Sequence, residues 1–186
     1  VASGAAYAVS VATQPGAPSQ TCTVSNGSAT VGGAAVGNVA IACTTNLYTI
    51  GGAVSGLAGA GLVLRNNGAD ALDVPANATS FAFSVRVASG APYAVTVSSQ
   101  PGSPSQTCTV SAGSGIVAAS NVGSVVIACA TNSYAIGGTI SGLAGAGLEL
   151  RVNGGNALSL PANATSFAFG TQLAEVLTVH RGTARR

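Results

Sequence analysis

The sequence predicts an all-β chain of tandem antiparallel β-sandwich repeats of about 86 residues, with one disulfide in each. Three observations carry that expectation: a gapless duplication, apolar residues recurring at every second position, and two cysteine pairs at one spacing. QPGAPSQTCTVS at 14–25 returns as QPGSPSQTCTVS at 100–111, and SGLAGAGL at 55–62 returns at 141–148. Both shifts are 86 positions, and 58 of the 86 positions aligned between 1–86 and 87–172 are identical. Self-similarity at a fixed period marks an array made by repetition.

The apolar period is two rather than 3.6. Phe81, Phe83, Val85 and Val87 alternate with Ser80, Ala82, Ser84 and Arg86, and Tyr93, Val95 and Val97 alternate with Ala94, Thr96 and Ser98. Such patterning gives strands with one buried face. Turn signals interrupt it at short intervals: Gly51-Gly52, Asn67-Gly68, Pro75-Ala76-Asn77, Ser89-Gly90, Pro101-Gly102 and Ala112-Gly113. No segment offers a capped helix of ten residues. Within 44–129 strands are expected at 48–54, 61–66, 71–74, 79–87, 92–98, 106–111 and 124–129. Seven short strands of this kind suit an antiparallel sandwich.

Cys22 and Cys43 recur as Cys108 and Cys129, each pair 21 apart. Neither a CxxC spacing nor a nearby histidine pair points to zinc. Cys22 alternates with Val24, and Cys43 with Val39 and Ile41, so these side chains are expected to face a core. The reading is two disulfides, Cys22 to Cys43 and Cys108 to Cys129, which implies an oxidising, extracellular or cell-surface setting. Buried free thiols are the alternative.

Charged residues make up 5% of the chain, where ordinary domains carry about a quarter. Lys, Met and Trp are absent, and 47% of residues are hydrophobic, which speaks against disorder. No apolar run approaches the ~20 residues of a membrane helix, and no signal peptide is visible. A chain that opens on Val1 is expected to be a processed or excised segment. Arg65, Arg86 and Arg151 balance Asp70, Asp73 and Glu149, so the net charge of +2 lies in the tail 173–186. A neutral body speaks against nucleic acid as a partner, which needs clustered cations. Low net charge also gives little protection against self-association.

The order YTIGGAVSGLAGAGLVLRNNG, then SFAF, then SGAPYAVTV resembles the transthyretin-like or carboxypeptidase-regulatory-like (Ig-like) sandwiches. The following QPGSPSQTCTVS and VVIAC are similar to a repeat of bacterial secreted and cell-surface proteins. The resemblance covers 1–172 and rests on core and turn residues, so it implies fold and location rather than activity. Some such sandwiches carry a Lys-to-Asn isopeptide crosslink, which a chain without Lys cannot form.

Against that unit the frame is displaced. Residues 1–43 read as the C-terminal half of a repeat, 44–129 as a complete repeat, 130–172 as an N-terminal half, and 173–186 as a divergent basic tail. Each half would expose an apolar face and unpaired edges. The expected remedy is head-to-tail pairing of 130–172 with 1–43 of the next chain, an extracellular filament whose partner is the protein itself. The interface would draw on Tyr7, Val9, Val11, Val39 and Ile41 from one copy, and on Tyr134, Ile136, Leu148, Leu150, Phe167 and Phe169 from the other. The alternative is a spacer or adhesive array excised from a longer surface protein.

Other chemistry is thin. His180 stands in the tail with no nucleophile constellation, so no catalytic residue, small-molecule substrate or cofactor is expected. Asp70 and Asp73 would suit calcium, but the second copy has Asn156 and Ser159 there, which favours turn capping. SGLAGAGL lacks the lysine and the helix of a phosphate loop and reads as a tight strand connection. The sequons at Asn26, Asn77 and Asn163 read as turns, and Tyr7, Tyr48, Tyr93 and Tyr134 as core. In the tail Leu177, Val179 and Arg181 alternate as a strand would.

Overall fold

The computed structural model of the chain describes residues 1–174, and the expectations for His180, Leu177, Val179 and Arg181 lie outside them. Among the described residues the protein is all-β, with no helix, and both disulfides are formed.

The centre of the chain holds ten strands. They are β5 (Leu47–Tyr48), β6 (Ile50–Ser55), β7 (Leu62–Asn66), β8 (Asp70–Val74), β9 (Ser80–Ala82), β10 (Val87–Ala88), β11 (Pro92–Ser99), β12 (Gln106–Ser111), β13 (Ser114–Ile116) and β14 (Val122–Thr131). Two four-stranded sheets carry most of them, in the orders β13-β11-β7-β8 and β12-β14-β6-β9, while β5 pairs with β10. Alternate side chains of both sheets enter one buried cluster, including Ile50, Leu62, Leu64, Val95, Val125 and Ile127. The period-two pattern thus does what it must: one face of each sheet leaves water, at roughly 1.5–3 kcal/mol for each large side chain.

Three features depart from the expected strands. First, the sheets are not wholly antiparallel, because β6 and β14 run parallel, Val122 opposite Ile50 and Ile127 opposite Val54. Both strands start at the same place, where Thr49 N donates to Asn121 Oδ1 and Val122 N donates to Thr49 O, 2.9 Å each. Parallel neighbours need a long connection, and here the rest of the unit supplies it. Alternation reveals a face but not a direction. Second, the strand expected at 79–87 breaks. The chain bends at Ser84 and Val85, leaving Val85 exposed, and resumes as β10 against β5, with Val87 opposite Tyr48. Third, β13 was not expected, since Ser-Gly-Ile has no alternation. It pairs with β11 as an edge strand.

The N-terminal part holds β1 (Ala6–Ala8), β2 (Gln20–Ser25), β3 (Ser28–Thr30) and β4 (Ala40–Thr45), paired only as β1-β3 and β2-β4. The C-terminal part holds β15 (Ser133–Tyr134), β16 (Gly137–Thr139), β17 (Leu148–Val152), β18 (Gly155–Leu160), β19 (Ser166–Ala168) and β20 (Leu173–Ala174). These pair only as β15-β20, β16-β19 and β17-β18. Among the described residues no ladder joins the two parts. Every ladder they do have repeats one of the central unit at the 86-residue shift.

Consecutive units are joined by a small polar cluster. Ser19 Oγ accepts from Asn46 Nδ2 at 2.8 Å and interacts with Tyr48 Oη at 3.1 Å. Ser19 N donates to Ser89 Oγ at 2.8 Å. The next junction repeats part of it, with Asn132 Nδ2 donating to Ser105 Oγ at 2.8 Å.

Candidate assembly site

The candidate site consists of four strand edges and the apolar faces beside them. In the central unit the closing half, 87–129, meets the opening half, 44–86, along two main seams. One is β11 on β7, with Val95 opposite Asn66 and Val97 opposite Leu64; the other is β14 on β6. At the shift of 86 the equivalent edges are β1 and β4 in the N-terminal half, and β17 and β16 in the C-terminal half. Among the described residues all four lack a partner on the equivalent side.

Loss of the seam shortens the strands. β11 runs to Ser99 because β7 pairs with it, whereas the equivalent β1 ends at Ala8. β14 starts at Val122 against Ile50, whereas the equivalent β4 starts only at Ala40. A strand persists only where its backbone groups find a ladder.

Side chains follow. Ile127 is 0% exposed and its equivalent Ile41 is 62% exposed; Val95 is 4% exposed and Val9 is 43% exposed; Ile50 is 0% exposed and Ile136 is 40% exposed. Tyr134 is likewise exposed, and Tyr7, Val11, Val39, Leu148, Leu150 and Phe167 are half-buried. Phe169 differs. It is already buried, edge-on to Phe167 with ring centroids 5.9 Å apart, so its own half provides its contact. An open groove of about 540 Å³ lies in the N-terminal half, lined among others by Val1, Tyr7, Val31 and Val36. In the central unit the counterparts of Val1 and Val36, Val87 and Val122, face Tyr48 and Ile50. The groove therefore lies where an opening half would place its tyrosine and isoleucine.

The cysteines staple one ladder in each closing half. Cys22 lies opposite Cys43 across β2 and β4, and Cys108 opposite Cys129 across β12 and β14, with Cα atoms 4.0 Å apart in both. Disulfides persist in oxidising compartments. Two glutamines of the duplicated QPGxPSQTCTVS segment each have a definite task. Gln14 pairs its amide with the backbone of Cys22, Oε1 accepting from N at 2.7 Å and Nε2 donating to O at 3.0 Å; Gln100 does the same for Cys108. The side chain imitates a neighbouring strand and blunts the outer edge. The second glutamine, Gln106, is buried and tied to the loop 56–59. Its only sequence signal was identity between copies within an otherwise alternating strand.

The remaining candidates are placed as follows. Asp70 and Asp73 are three residues apart on β8 and so leave the strand on opposite faces. Among the described residues no three His, Cys, Asp or Glu side chains converge. Asn26, Asn77 and Asn163 each adopt a positive φ, 55°, 61° and 62°, as turn residues. SGLAGAGL joins β6 to β7 in the first copy, with Leu57 buried. Comparison with protein-family models, curated proteins and solved structures finds no match.

Proposed function

We propose that this chain is a non-enzymatic structural subunit of an extracellular filament, built from Ig-like or transthyretin-like sandwiches. Assembly is head to tail: residues 130–172 of one copy complete residues 1–43 of the next. The observation that carries the reading is the contrast between identical side chains, Ile127 at 0% and Ile41 at 62% exposure. The central unit supplies a template for the missing contact, because its two halves are copies of the same two segments, identical to them at 58 of 86 positions, already mated. A heterologous contact of this type repeats without closing and yields a fibre. Addition of strands to open sheet edges is an established mode of association. Anchorage at a cell surface accords with the disulfides.

A second reading has its own support. Hydrogen bonds donated by Asn46 Nδ2 to Ser19 Oγ and by Ser19 N to Ser89 Oγ clamp consecutive units within one polypeptide, as a rigid surface array would require. In that reading further repeats of a longer chain complete the halves covalently.

Negative-stain electron microscopy of the 1–186 chain separates the two. Filaments are expected from the full chain and not from Ile41→Asp, which puts a charge on the seam. Monodisperse particles from both at high concentration would overturn assembly and leave the array.

A further inference from the structure

Resting on the assembly reading, we propose that Gln20 is the polar lock of the contact between copies and is received by the loop 142–145 of the neighbouring subunit. The central unit contains the finished lock. Gln106 Oε1 accepts from the backbone N–H groups of Ala58 and Gly59, both at 2.8 Å. Its Nε2 donates to Gly56 O at 2.8 Å and to Thr131 Oγ1 at 3.2 Å. Two donors and two lone pairs are thus all used, which is what allows a primary amide to be buried.

Every participant recurs at the 86-residue shift: Gln20, Thr45, Gly142, Ala144 and Gly145. Gln20, however, keeps only its contact to Thr45 Oγ1, at 3.2 Å. Among the described residues its Oε1, Ala144 N and Gly145 N make no hydrogen bond. One half carries the key and the other carries the keyhole. The lock also has a purpose that apolar contacts lack. A strand slipped by two residues still buries its apolar face, but it leaves the glutamine unsatisfied, so the amide fixes register.

The two loops respond differently to one added carbon. A Cβ on Gly59 would lie 2.5 Å from Pro104 O and 2.9 Å from Pro101 Cβ, whereas on Gly145 it meets no atom within 4 Å. Gly145→Ala is therefore silent in the single chain but collides with the docked copy, at the counterparts Pro18 and Pro15. Gln20→Met keeps the length of the side chain and removes its hydrogen bonds.

The test compares the full wild-type chain with these two variants, reading the midpoint concentration of assembly by light scattering. Amide exchange at Ala144 and Gly145 is read in the assembled state. Protection of both amides in wild type is expected, together with a rise of the midpoint by about tenfold or more in each variant, as loss of a buried polar contact requires. Thermal unfolding of the dilute chain stays unchanged. Variants that assemble at the wild-type midpoint, with the wild-type amides unprotected, would overturn the lock and leave the assembly reading standing. A wild-type chain that never assembles would overturn both.

Discussion

The central unit and its two flanking halves carry nearly the same sequence yet differ in what they can bury. In 44–129 two seams close two sheets over one core; in 1–43 and 130–174 the same ladders form but, among the described residues, the seams are absent. Pairing within each half thus survives separation from the rest of the unit. Burial is a property of the seam. Ile41, Val9 and Ile136 have closely similar neighbours in sequence to those of Ile127, Val95 and Ile50, with small swaps such as Ala40 for Val126, Ser10 for Thr96 and Ala135 for Thr49, and what they lack among the described residues is a paired second half.

The sharpest way to break the comparison is to place the same charge on both members of a pair. Ile127→Asp buries a carboxylate without a partner and is expected to cost about 4 kcal/mol or more, enough to unfold the central unit. Ile41→Asp at the exposed equivalent should shift the dilute chain by no more than about 0.5 kcal/mol. Calorimetry of the two variants measures both. Equal destabilisation would mean that Ile41 is already part of a packed core.

A smaller effect separates the disulfides. Each closes a loop of 21 residues. Replacing Cys108 and Cys129 by Ser should cost the central unit about 3 kcal/mol, on the usual loop-closure scale. Replacing Cys22 and Cys43 should leave its transition within about 0.5 kcal/mol, as for distant sites. Urea titration monitored at Tyr93 and Tyr48 resolves the two.

The smallest effect concerns the end of the described chain. Leu173 lies opposite Tyr134, the place that Val87 occupies opposite Tyr48 and that Val1 of a docked copy would claim. A chain ending at residue 172 should therefore assemble about two- to fivefold more tightly, the worth of a cross-strand pair or two. Light scattering against concentration reads that shift. Weaker assembly of the shortened chain would make β20 a support rather than a competitor.

Much of this contrast was legible in the residues. The duplication, the alternation and the 21-residue cysteine spacing carry the all-β character and both disulfides, and 106–111 matches β12 residue for residue. What stayed hidden depends on distance. The parallel β6–β14 pair joins residues 72 apart at Ile50 and Val122, and alternation has no sign of direction. β13 has no apolar rhythm because it is an edge held by β11, and the break at Ser84 and Val85 falls inside an uninterrupted alternation. Among the candidate site residues, exposure of Ile41, Val9 and Ile136 accords with the displaced frame, whereas Tyr134, read as core, is 52% exposed. Burial of Phe169 could not be anticipated, since it depends on a ring contact within the C-terminal half. The role of Gln106 was invisible because its partners are up to 50 residues away.

Pairing between chains is tested most directly by tethering the seam. Val122 lies opposite Ile50, which places Val36 opposite Ile136 of the neighbouring copy. Two full-length variants, Val36→Cys and Ile136→Cys, are mixed with a short thiol crosslinker, and the linked peptides are identified by mass spectrometry. Complementation requires heterodimers joined between positions 36 and 136. Mixed chains that stay unlinked at concentrations where the protein is assembled, or that link only like with like, would contradict it.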